Sequence, residues 1–209
     1  HTLGPWRAAE AWINSLLDAN DFDLVERIEI DLYGSLSLTG KGHATDMALI
    51  LGLSGCDPER MPVEDIAAIT ARVSQDKNIY LGGLKLVEFD QPQAIRFNSE
   101  FLPFHSNGLK FTAILSDGNV IEEIYYSIGG GFIVQEKNDQ QAAEIVNDKT
   151  YPYPIAKATN LSGYCKTTGL AISDIVFENE KVLRSAEEID FELKRIWETM
   201  LECMYIGCH

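Results

Sequence analysis

Apolar positions at helical spacing open the chain. They recur three or four residues apart and are Trp6, Ala9, Trp12, Ile13, Leu16 and Leu17. Pro5 suits the first position of a helix, so the pattern predicts an amphipathic helix that ends near Asn20. The pattern then alternates strictly between apolar and polar residues from Arg27 to Tyr33. Such alternation is typical of a strand with one buried face.

The same two patterns continue through the middle of the chain. A mostly apolar helix is predicted from Ala44 to Leu51, and Pro62 suits the start of another. From Ile79 onward the period shortens towards two. The predicted strands are Leu84–Phe89, Ala94–Asn98, Leu109–Leu115, Val120–Ser127 and Phe132–Val134. Asp117-Gly118 lies between two of these runs, which is a strong hairpin signal. Helices followed by hairpins predict an α+β fold with helices packed on a mixed or antiparallel sheet.

A stiff segment, Tyr151-Pro152-Tyr153-Pro154, marks a predicted domain boundary, because each proline restricts its own backbone and that of the preceding residue. We therefore expect one domain at residues 1–150, a linker at 151–159 and a helical region at 160–209. The predicted helices of that region are Asn160–Thr168, Ile172–Leu183 and Ser185–Met204. The last begins with a capping box and has an apolar stripe, which is usually part of a core. We interpret these helices as the first part of an all-α domain whose remainder is absent.

The net charge of the chain indicates which kinds of molecule it is not expected to bind. The chain has 209 residues, with 17 Lys and Arg against 32 Asp and Glu, which gives a formal net charge of −15. A strongly negative field repels phosphate backbones and anionic lipids, so neither nucleic acid nor a membrane is an expected partner. With 45% hydrophobic residues and no long apolar run, the sequence is typical of a soluble, cytoplasmic protein. The first residue is His1 rather than methionine, so we expect a fragment or a processed product.

The cysteines predict neither disulfides nor a metal site. Four cysteines are too few and too scattered for a disulfide framework in a chain of this length. Cys203, Cys208 and His209 have the spacing C-x4-C-H, which matches neither a zinc site nor a haem-attachment motif. We therefore expect reduced structural cysteines and no metal ligands in this chain.

The stretch from Gly34 to His43, GSLSLTGKGH, lies between the first predicted strand and the helix after it. A glycine-rich turn that leads into a helix N-terminus directs backbone N–H groups outward and suits an anion. A nucleotide-binding P-loop has four residues before its Gly-Lys pair and then Ser or Thr, whereas this stretch has five, and Gly42 follows Lys41. We exclude a nucleotide site. Two interpretations remain: an anion site with Lys41 as cation and His43 as base, or a tight connection with a solvated lysine.

Two of the four histidines, His43 and His105, lie in glycine-bounded loops. Imidazole has the side-chain pKa nearest neutrality, so each is a candidate for proton transfer; the alternative is a loop histidine bonded to backbone. Asn107 belongs either to the same site as His105 or only to a turn. His1 and Thr2 precede the first helix, where Thr2 is predicted to cap it beside a second potential anion site, or where the terminus is disordered.

Several stretches together resemble one family, the bacterial iron–sulfur L-serine dehydratases. The matching stretches are His1-Thr2-Leu3-Gly4-Pro5, the block Tyr33 to His43 with Thr45 and Asp46, Leu102 to Gly108, and Tyr126 to Phe132. The first corresponds to the end of that family's GPSSSHT-x-GP signature, and the serines expected before His1 are missing. The proline segment at 151–154 is similar to the family's link between domains. By this resemblance the chain is the family's beta domain followed by the start of its alpha domain.

The resemblance implies conversion of L-serine to pyruvate and ammonia without pyridoxal phosphate. It also implies a [4Fe-4S] cluster that acts as a Lewis acid on the leaving hydroxyl, with cysteine ligands in a C-terminal iron–sulfur domain of the same polypeptide, outside this chain. A protein base removes the Cα proton, and we expect His43 to be that base, with His105 as the second candidate. The implied substrate-binding residues are His1, Thr2, Thr39, Gly40, Lys41, Gly42 and Asn107.

The resemblance further implies a homodimer, and this chain alone is expected to be inactive because the cluster domain is missing. A rival hypothesis is a non-catalytic module that binds serine or another small anion as an effector, since the family's beta domain resembles a regulatory domain of some phosphoglycerate dehydrogenases. Anion capture needs hydrogen-bond donors but no general base, so the pair His43 and His105 favours catalysis. The hypotheses predict different sensitivities: turnover depends on the histidines, and effector binding depends on Lys41 and the glycines.

Overall fold

A computed structural model of the chain describes residues 1–136 and 150–209. The chain divides into two compact units, His1–Ile145 and Val146–His209. The division lies close to the proline segment that marks the predicted boundary. The assignment of the units to a beta domain and to the start of an alpha domain stays a prediction.

The first unit combines helices with one sheet. Its helices are α1 (Leu3–Asp18), α2 (Gly34–Thr39), α3 (Thr45–Leu53), α4 (Val63–Asp76) and α5 (Gln91–Ala94), with short 3-10 helices at Phe22–Leu24 and Gly40–His43. Its strands are β1 (Val25–Leu32), β2 (Asn78–Leu81), β3 (Lys85–Glu88), β4 (Ile95–Phe97), β5 (Gly108–Leu115), β6 (Val120–Gly129) and β7 (Phe132–Gln135).

The sheet is mixed, with the strand order β2-β3-β1-β5-β6-β7. On one side β1 pairs in parallel with β3 near its start and with β4 near its end, where Ile30 lies opposite Ile95. On its other side β1 pairs antiparallel with β5, which continues through a hairpin into β6. Gly118 in that hairpin has a φ of 85°, a conformation that glycine adopts readily. The predicted α+β fold with a mixed sheet is confirmed, and so is the hairpin.

The core lies between the sheet and helices that include α1 and α3. Alternate residues of β1 and β5 are buried there, as their sequence pattern predicts. The rings of Trp12 in α1 and Phe111 in β5 stack with centroids 4.8 Å apart. Five of the six apolar positions predicted for the first helix are buried, whereas Leu17 is 41% exposed. Helix α1 is therefore the packing element that its periodicity indicates.

The stretch between β1 and α3 differs from the predicted turn, since it is helical: α2 is followed by the 3-10 helix. Gly34 begins it with a φ of 54°. Its N–H donates to the carbonyl oxygen of Glu100 (2.7 Å), and the N–H of Ser35 donates to that of Ser106 (2.8 Å). Ala44 ends the stretch with a φ of 52°, an uncommon conformation for a residue with a Cβ. These contacts with the β4–β5 loop outweigh the poor helix propensity of glycine and serine.

A charged network surrounds Asp31, a buried residue of β1 between the core residues Ile30 and Leu32. Its carboxylate accepts two hydrogen bonds from Arg96, at 2.7 and 2.8 Å, and one from Asn98 at 3.1 Å. Burial alone raises the pKa of a carboxyl group. Here the hydrogen bonds from Arg96 and Asn98 and the charges of Arg96 and Lys110 outweigh burial, so the pKa of Asp31 lies below its usual value.

We expect Asp31→Asn to lower the free energy of unfolding by about 1–3 kcal/mol near neutral pH, because Arg96 loses one of its two charged partners and keeps only its ion pair with Glu29. A carboxyl whose pKa is lowered by folding stabilises the protein above its unfolded pKa of about 3.9, and this contribution disappears as the pH falls through the folded-state pKa. In denaturant unfolding, the difference in the free energy of unfolding between wild type and variant should therefore decrease below about pH 4. A gap that stays constant down to about pH 2 would contradict this prediction. Asp23→Asn, at an exposed position, is the control and should change stability by less than about 0.5 kcal/mol.

The second unit is helical where it is described. Its helices are α6 (Ala158–Thr168), α7 (Ile172–Glu180) and α8 (Ala186–Cys208). The predicted capping box of α8 is confirmed, because Ser185 Oγ accepts from the Glu188 N–H (3.2 Å) and the Glu188 carboxylate accepts from the Ser185 N–H (2.7 Å). The apolar stripe of α8 is buried at Ile189. Its exposed members are Leu193, Ile196, Trp197, Met200 and Met204. Across the ranges 1–136 and 150–209, no helix is long and apolar enough to span a bilayer.

Candidate functional site

His1 packs against helix α2. Its Nδ1 lies 2.7 Å from Thr39 Oγ1, and its Nε2 lies 3.5 Å from Ser35 Oγ. Thr39 in turn donates a hydrogen bond to the carbonyl oxygen of Ser35, 2.9 Å away. Two hydroxyl side chains on α2 therefore face the two nitrogens of one imidazole ring.

Two threonines join the N-terminus to the start of α3 and to the 3-10 helix before it. Thr45 is fully buried and donates to the carbonyl oxygen of His1 at 2.7 Å. Thr2 donates to the carbonyl oxygen of His43 at 2.9 Å. Thr2 occupies the N-cap position of α1, but its side chain makes no capping hydrogen bond, so its predicted capping role is wrong. Both hydroxyl groups instead hold the site segments together.

His43 ends the 3-10 helix Gly40–His43 and is exposed. Its ring lies edge-on to the ring of His1, with centroids 5.2 Å apart and planes at 84°. Two imidazole rings at this distance can contact the same small ligand. We take this pair as the centre of the candidate site.

The loop between β4 and β5 contributes His105. Its Nδ1 accepts a hydrogen bond from the backbone N–H of Asn107 at 3.1 Å. Because an amide N–H can only donate, the neutral imidazole of His105 carries its own proton on Nε2. His105 is thus bonded to backbone, as the alternative interpretation expects, and its Nε2 is a donor.

Asn107 connects this loop to the end of β6. Its Nδ2 donates to the carbonyl oxygen of Ser127 at 3.1 Å, and its own carbonyl oxygen accepts from the Ser127 N–H at 3.0 Å. Its Oδ1 is buried and has no hydrogen-bond partner among the residues that the structure describes. Ser127 also touches the start of α1, because a Cβ added to Gly4 would overlap the Ser127 hydroxyl. A glycine at position 4 allows the N-terminal residues to reach the sheet.

The 3-10 helix holds the other predicted substrate-binding residues. Gly40 is buried, and an added Cβ would lie 3.2 Å from the ring of Phe97. Gly42 is exposed and has open space where a Cβ would stand. Lys41 lies between them, and its side chain is outside the described part of the structure. Gly42 is therefore better placed than Gly40 to meet a ligand at the surface.

The N-terminus of α3 already has an acidic group. Asp46 lies in its first turn, and the carboxylate accepts a hydrogen bond from the Met47 N–H at 2.9 Å. A negative charge there reduces the attraction of this helix end for a second anion. The predicted anion site therefore depends on groups other than the α3 dipole.

Tyr126 packs beside the His105 loop, with its ring centroid 4.9 Å from that of Phe104. Burial, together with the nearby carboxylate of Glu136, raises the pKa of Tyr126 to about 12. The phenol therefore stays protonated near neutral pH. It is not a candidate base for the site.

The predicted site residues lie in one region of the first unit. Those joined by direct contacts are His1, Thr2, Thr39 and His43. His105 and Asn107 reach the same region through backbone, since Ser106 between them accepts a hydrogen bond from the Ser35 N–H at 2.8 Å. The structure therefore connects the two predicted loops at the start of α2.

Three further residues of this region carry hydroxyl groups and are not among the predicted site residues, namely Ser35, Thr45 and Ser127. All three lie inside the stretches that carry the family resemblance. Serine and threonine are common in turns for purely local reasons, so no pattern in the sequence separates them from turn residues. Only their contacts identify them.

The described residues do not supply a ligand set for a metal. In the ranges 1–136 and 150–209, no three His, Cys, Asp or Glu side chains are grouped so that they could hold a metal ion. The four cysteines are free thiols, and burial raises the pKa of Cys56. The location of cluster ligands outside this chain stays a prediction.

Comparison with known proteins identifies the family. A family model described as the serine dehydratase beta chain matches residues 1–138. L-serine dehydratase 1 of Escherichia coli K12 is 40% identical over 208 residues, which cover 99% of this chain and 45% of that protein. L-serine dehydratase of Haemophilus influenzae is 38% identical over 213 residues, which cover 100% of this chain and 46% of that protein. L-serine dehydratase of Streptomyces coelicolor is 34% identical over 209 residues, with 99% and 46% covered.

The chain spans about half the length of the curated relatives that it matches. The family match at residues 1–138 includes His1, His43 and His105. This chain belongs to the serine dehydratase beta chain family.

Proposed function

We propose that this chain is the part of an L-serine dehydratase that binds L-serine and accepts the proton from its Cα. The observation that carries the proposal is the contact between the rings of His1 and His43, whose centroids are 5.2 Å apart. Thr2 and Thr39 hold the backbone and the ring of this pair through hydrogen bonds of 2.9 and 2.7 Å. The relatives' name, L-serine dehydratase, supports serine as the substrate.

His43 is the proposed base. It is exposed, so a ligand can reach it, and imidazole is suited to accept a proton near neutral pH. His105 is the weaker candidate because its Nδ1 lone pair already accepts from the Asn107 N–H. Its Nε2–H is instead suited to donate to an oxygen of the substrate.

The carboxylate of serine needs hydrogen-bond donors or a cation. We assign it to the exposed backbone at Gly42 and to the ammonium group of Lys41. Open space at the Gly42 Cβ position permits close approach of a ligand to that backbone. Gly40, which is buried against Phe97 and Thr45, supports the segment from behind.

Loss of the Cα proton and of the β-hydroxyl converts serine to aminoacrylate, which isomerises to an imine and hydrolyses to pyruvate and ammonia. A [4Fe-4S] cluster, as the family resemblance implies, supplies Lewis acidity toward the leaving hydroxyl when it is bound. We propose that its ligands lie in a C-terminal domain beyond this chain. The residues described here bind the substrate and accept the proton.

Serine turnover tests this proposal. Pyruvate formation from L-serine is measured without oxygen for this chain alone and for the full-length protein with its cluster reconstituted. We expect turnover only in the full-length, iron-loaded protein. A full-length protein that binds iron and serine but forms no pyruvate would refute the lyase assignment and favour an effector-binding module.

A further inference from the structure

The hydroxyl group of Thr39 has one proton, and a neighbouring carbonyl uses it. Thr39 Oγ1 lies 2.9 Å from the carbonyl oxygen of Ser35, which can only accept, so the hydroxyl is the donor. The other contact of Thr39 Oγ1, 2.7 Å to His1 Nδ1, must therefore have the imidazole N–H as its donor. This places a proton on Nδ1 of His1.

A neutral imidazole with its proton on Nδ1 has a lone pair on Nε2. In His1 this nitrogen lies 3.5 Å from Ser35 Oγ, a distance at which the serine hydroxyl donates only weakly to it. A hydroxyl group can rotate, so both atoms can offer a lone pair when a stronger donor binds. The backbone of His1 is held as well, because the fully buried Thr45 donates to its carbonyl oxygen at 2.7 Å. The acceptor is therefore fixed in position by contacts on both sides.

We propose that Thr39 is a positioning residue that fixes this tautomer, and that His1 Nε2 and Ser35 Oγ accept hydrogen bonds from the α-ammonium group of a small amino acid. An ammonium group has only donors, whereas a carboxylate has only acceptors and would face the lone pair of Nε2. The assignment rests on the proposed function, in which that amino acid is serine. It moves His1 and Thr39 from the carboxylate end of the substrate, where the family resemblance puts them, to the amino end.

Nitrogen-15 NMR of the histidine-labelled chain tests the tautomer without any turnover. At about pH 8, above the ordinary imidazole pKa, we expect His1 of the wild type and of Thr39→Ser to have a protonated Nδ1 and an unprotonated Nε2. Thr39→Val removes the acceptor at similar shape, so His1 should lose this preference. A protonated Nε2 in the wild type, or an unchanged tautomer in Thr39→Val, would overturn the proposal. Thermal unfolding of both variants shows whether the fold is kept.

Ligand affinity tests the amino end directly. Dissociation constants of the full-length protein are measured for L-serine and for 3-hydroxypropionate, which lacks the amino group. The preference for serine is the ratio of the two dissociation constants. We expect this ratio to fall at least about tenfold in His1→Ala and in Thr39→Val, because one charge-assisted hydrogen bond is lost. In Thr39→Ser the ratio should stay as in the wild type. Equal losses for both ligands, or no binding of serine to the wild type, would overturn the assignment.

The experiments can refute the proposed ammonium subsite without refuting the proposed lyase activity, and the reverse. Serine binding with an amine preference that depends on His1, but without pyruvate formation, leaves the subsite standing and removes the lyase proposal. Turnover of serine by a protein in which His1→Ala keeps the full amine preference leaves the lyase proposal standing and removes the subsite.

Discussion

His43→Ala in the full-length, cluster-loaded enzyme is expected to lower kcat for L-serine by at least about 100-fold, because a positioned base contributes about 100-fold to 10,000-fold to a proton transfer. Serine affinity should change far less, since the proposed contacts to the carboxylate and the ammonium group come from other residues. The measurements are anaerobic pyruvate formation and calorimetric binding of serine. Turnover near the wild-type rate would refute His43 as the base.

His105→Gln is the matched comparison for this variant. Glutamine has no basic nitrogen but keeps an N–H donor, which is the role that the bond between His105 Nδ1 and the Asn107 N–H leaves to the ring. We therefore expect a smaller loss of kcat than in His43→Ala. If His105→Gln lowers kcat this strongly and His43→Ala does not lower it, the base is His105 and not His43.

Gly34→Ala is expected to destabilise the first unit by about 2–4 kcal/mol. Two costs add up, because the new Cβ would stand on a left-handed backbone and would also be packed too tightly against its neighbours. The φ of Gly34 is 54°, and an added Cβ would overlap the carbonyl oxygen of Ser106. That carbonyl also binds the Ser35 N–H, so the loop with His105 should move as well. Denaturant unfolding measures the first effect, and kcat/KM of the full-length enzyme measures the second.

Gly42→Ala is the control for the unfolding measurement. It adds the same methyl group in the same stretch, but at a position where nothing lies within 4 Å and no left-handed φ is required. We expect its stability to stay within about 0.5 kcal/mol of the wild type. Equal destabilisation by both substitutions would show that neither the left-handed backbone nor the tight contact of Gly34 causes the loss of stability.

Local patterns are sufficient to predict the regular elements. Strand β1 follows from its alternation, and the β5–β6 hairpin follows from Asp117-Gly118, because each signal lies within a few neighbouring residues. The capping box at Ser185 is a signal of the same kind. Where one segment is enough to determine the structure, the prediction agrees with it.

The stretch 34–43 shows what local patterns miss. Its glycines, serines and threonines have low helix propensity, so a turn is the natural prediction. It is helical because the carbonyl oxygens of Glu100 and Ser106, far away in the chain, bind the N–H groups at its start. Such partners are known only once the fold is known.

Local sequence patterns are also insufficient to predict the roles of the residues in the candidate site. The residue types of His43 and His105 make both of them candidate bases, and nothing in the sequence ranks them on physical grounds. Their roles differ because the lone pair of one imidazole is used by a neighbouring backbone N–H, which is a matter of loop geometry. The contact of His1 with Thr39 likewise joins residues 38 positions apart.

The contact between Gly4 and Ser127 places the first turn of α1 on the last long strand, so the site takes residues from nearly the full length of the first unit. A ligand that binds only this assembled state stabilises the whole unit, by about 2.7 kcal/mol at 100 times its dissociation constant. Amide hydrogen exchange would then slow in strands that never touch the ligand. In a cell, a protein stabilised in this way unfolds less often, so it should be degraded more slowly when its ligand is plentiful.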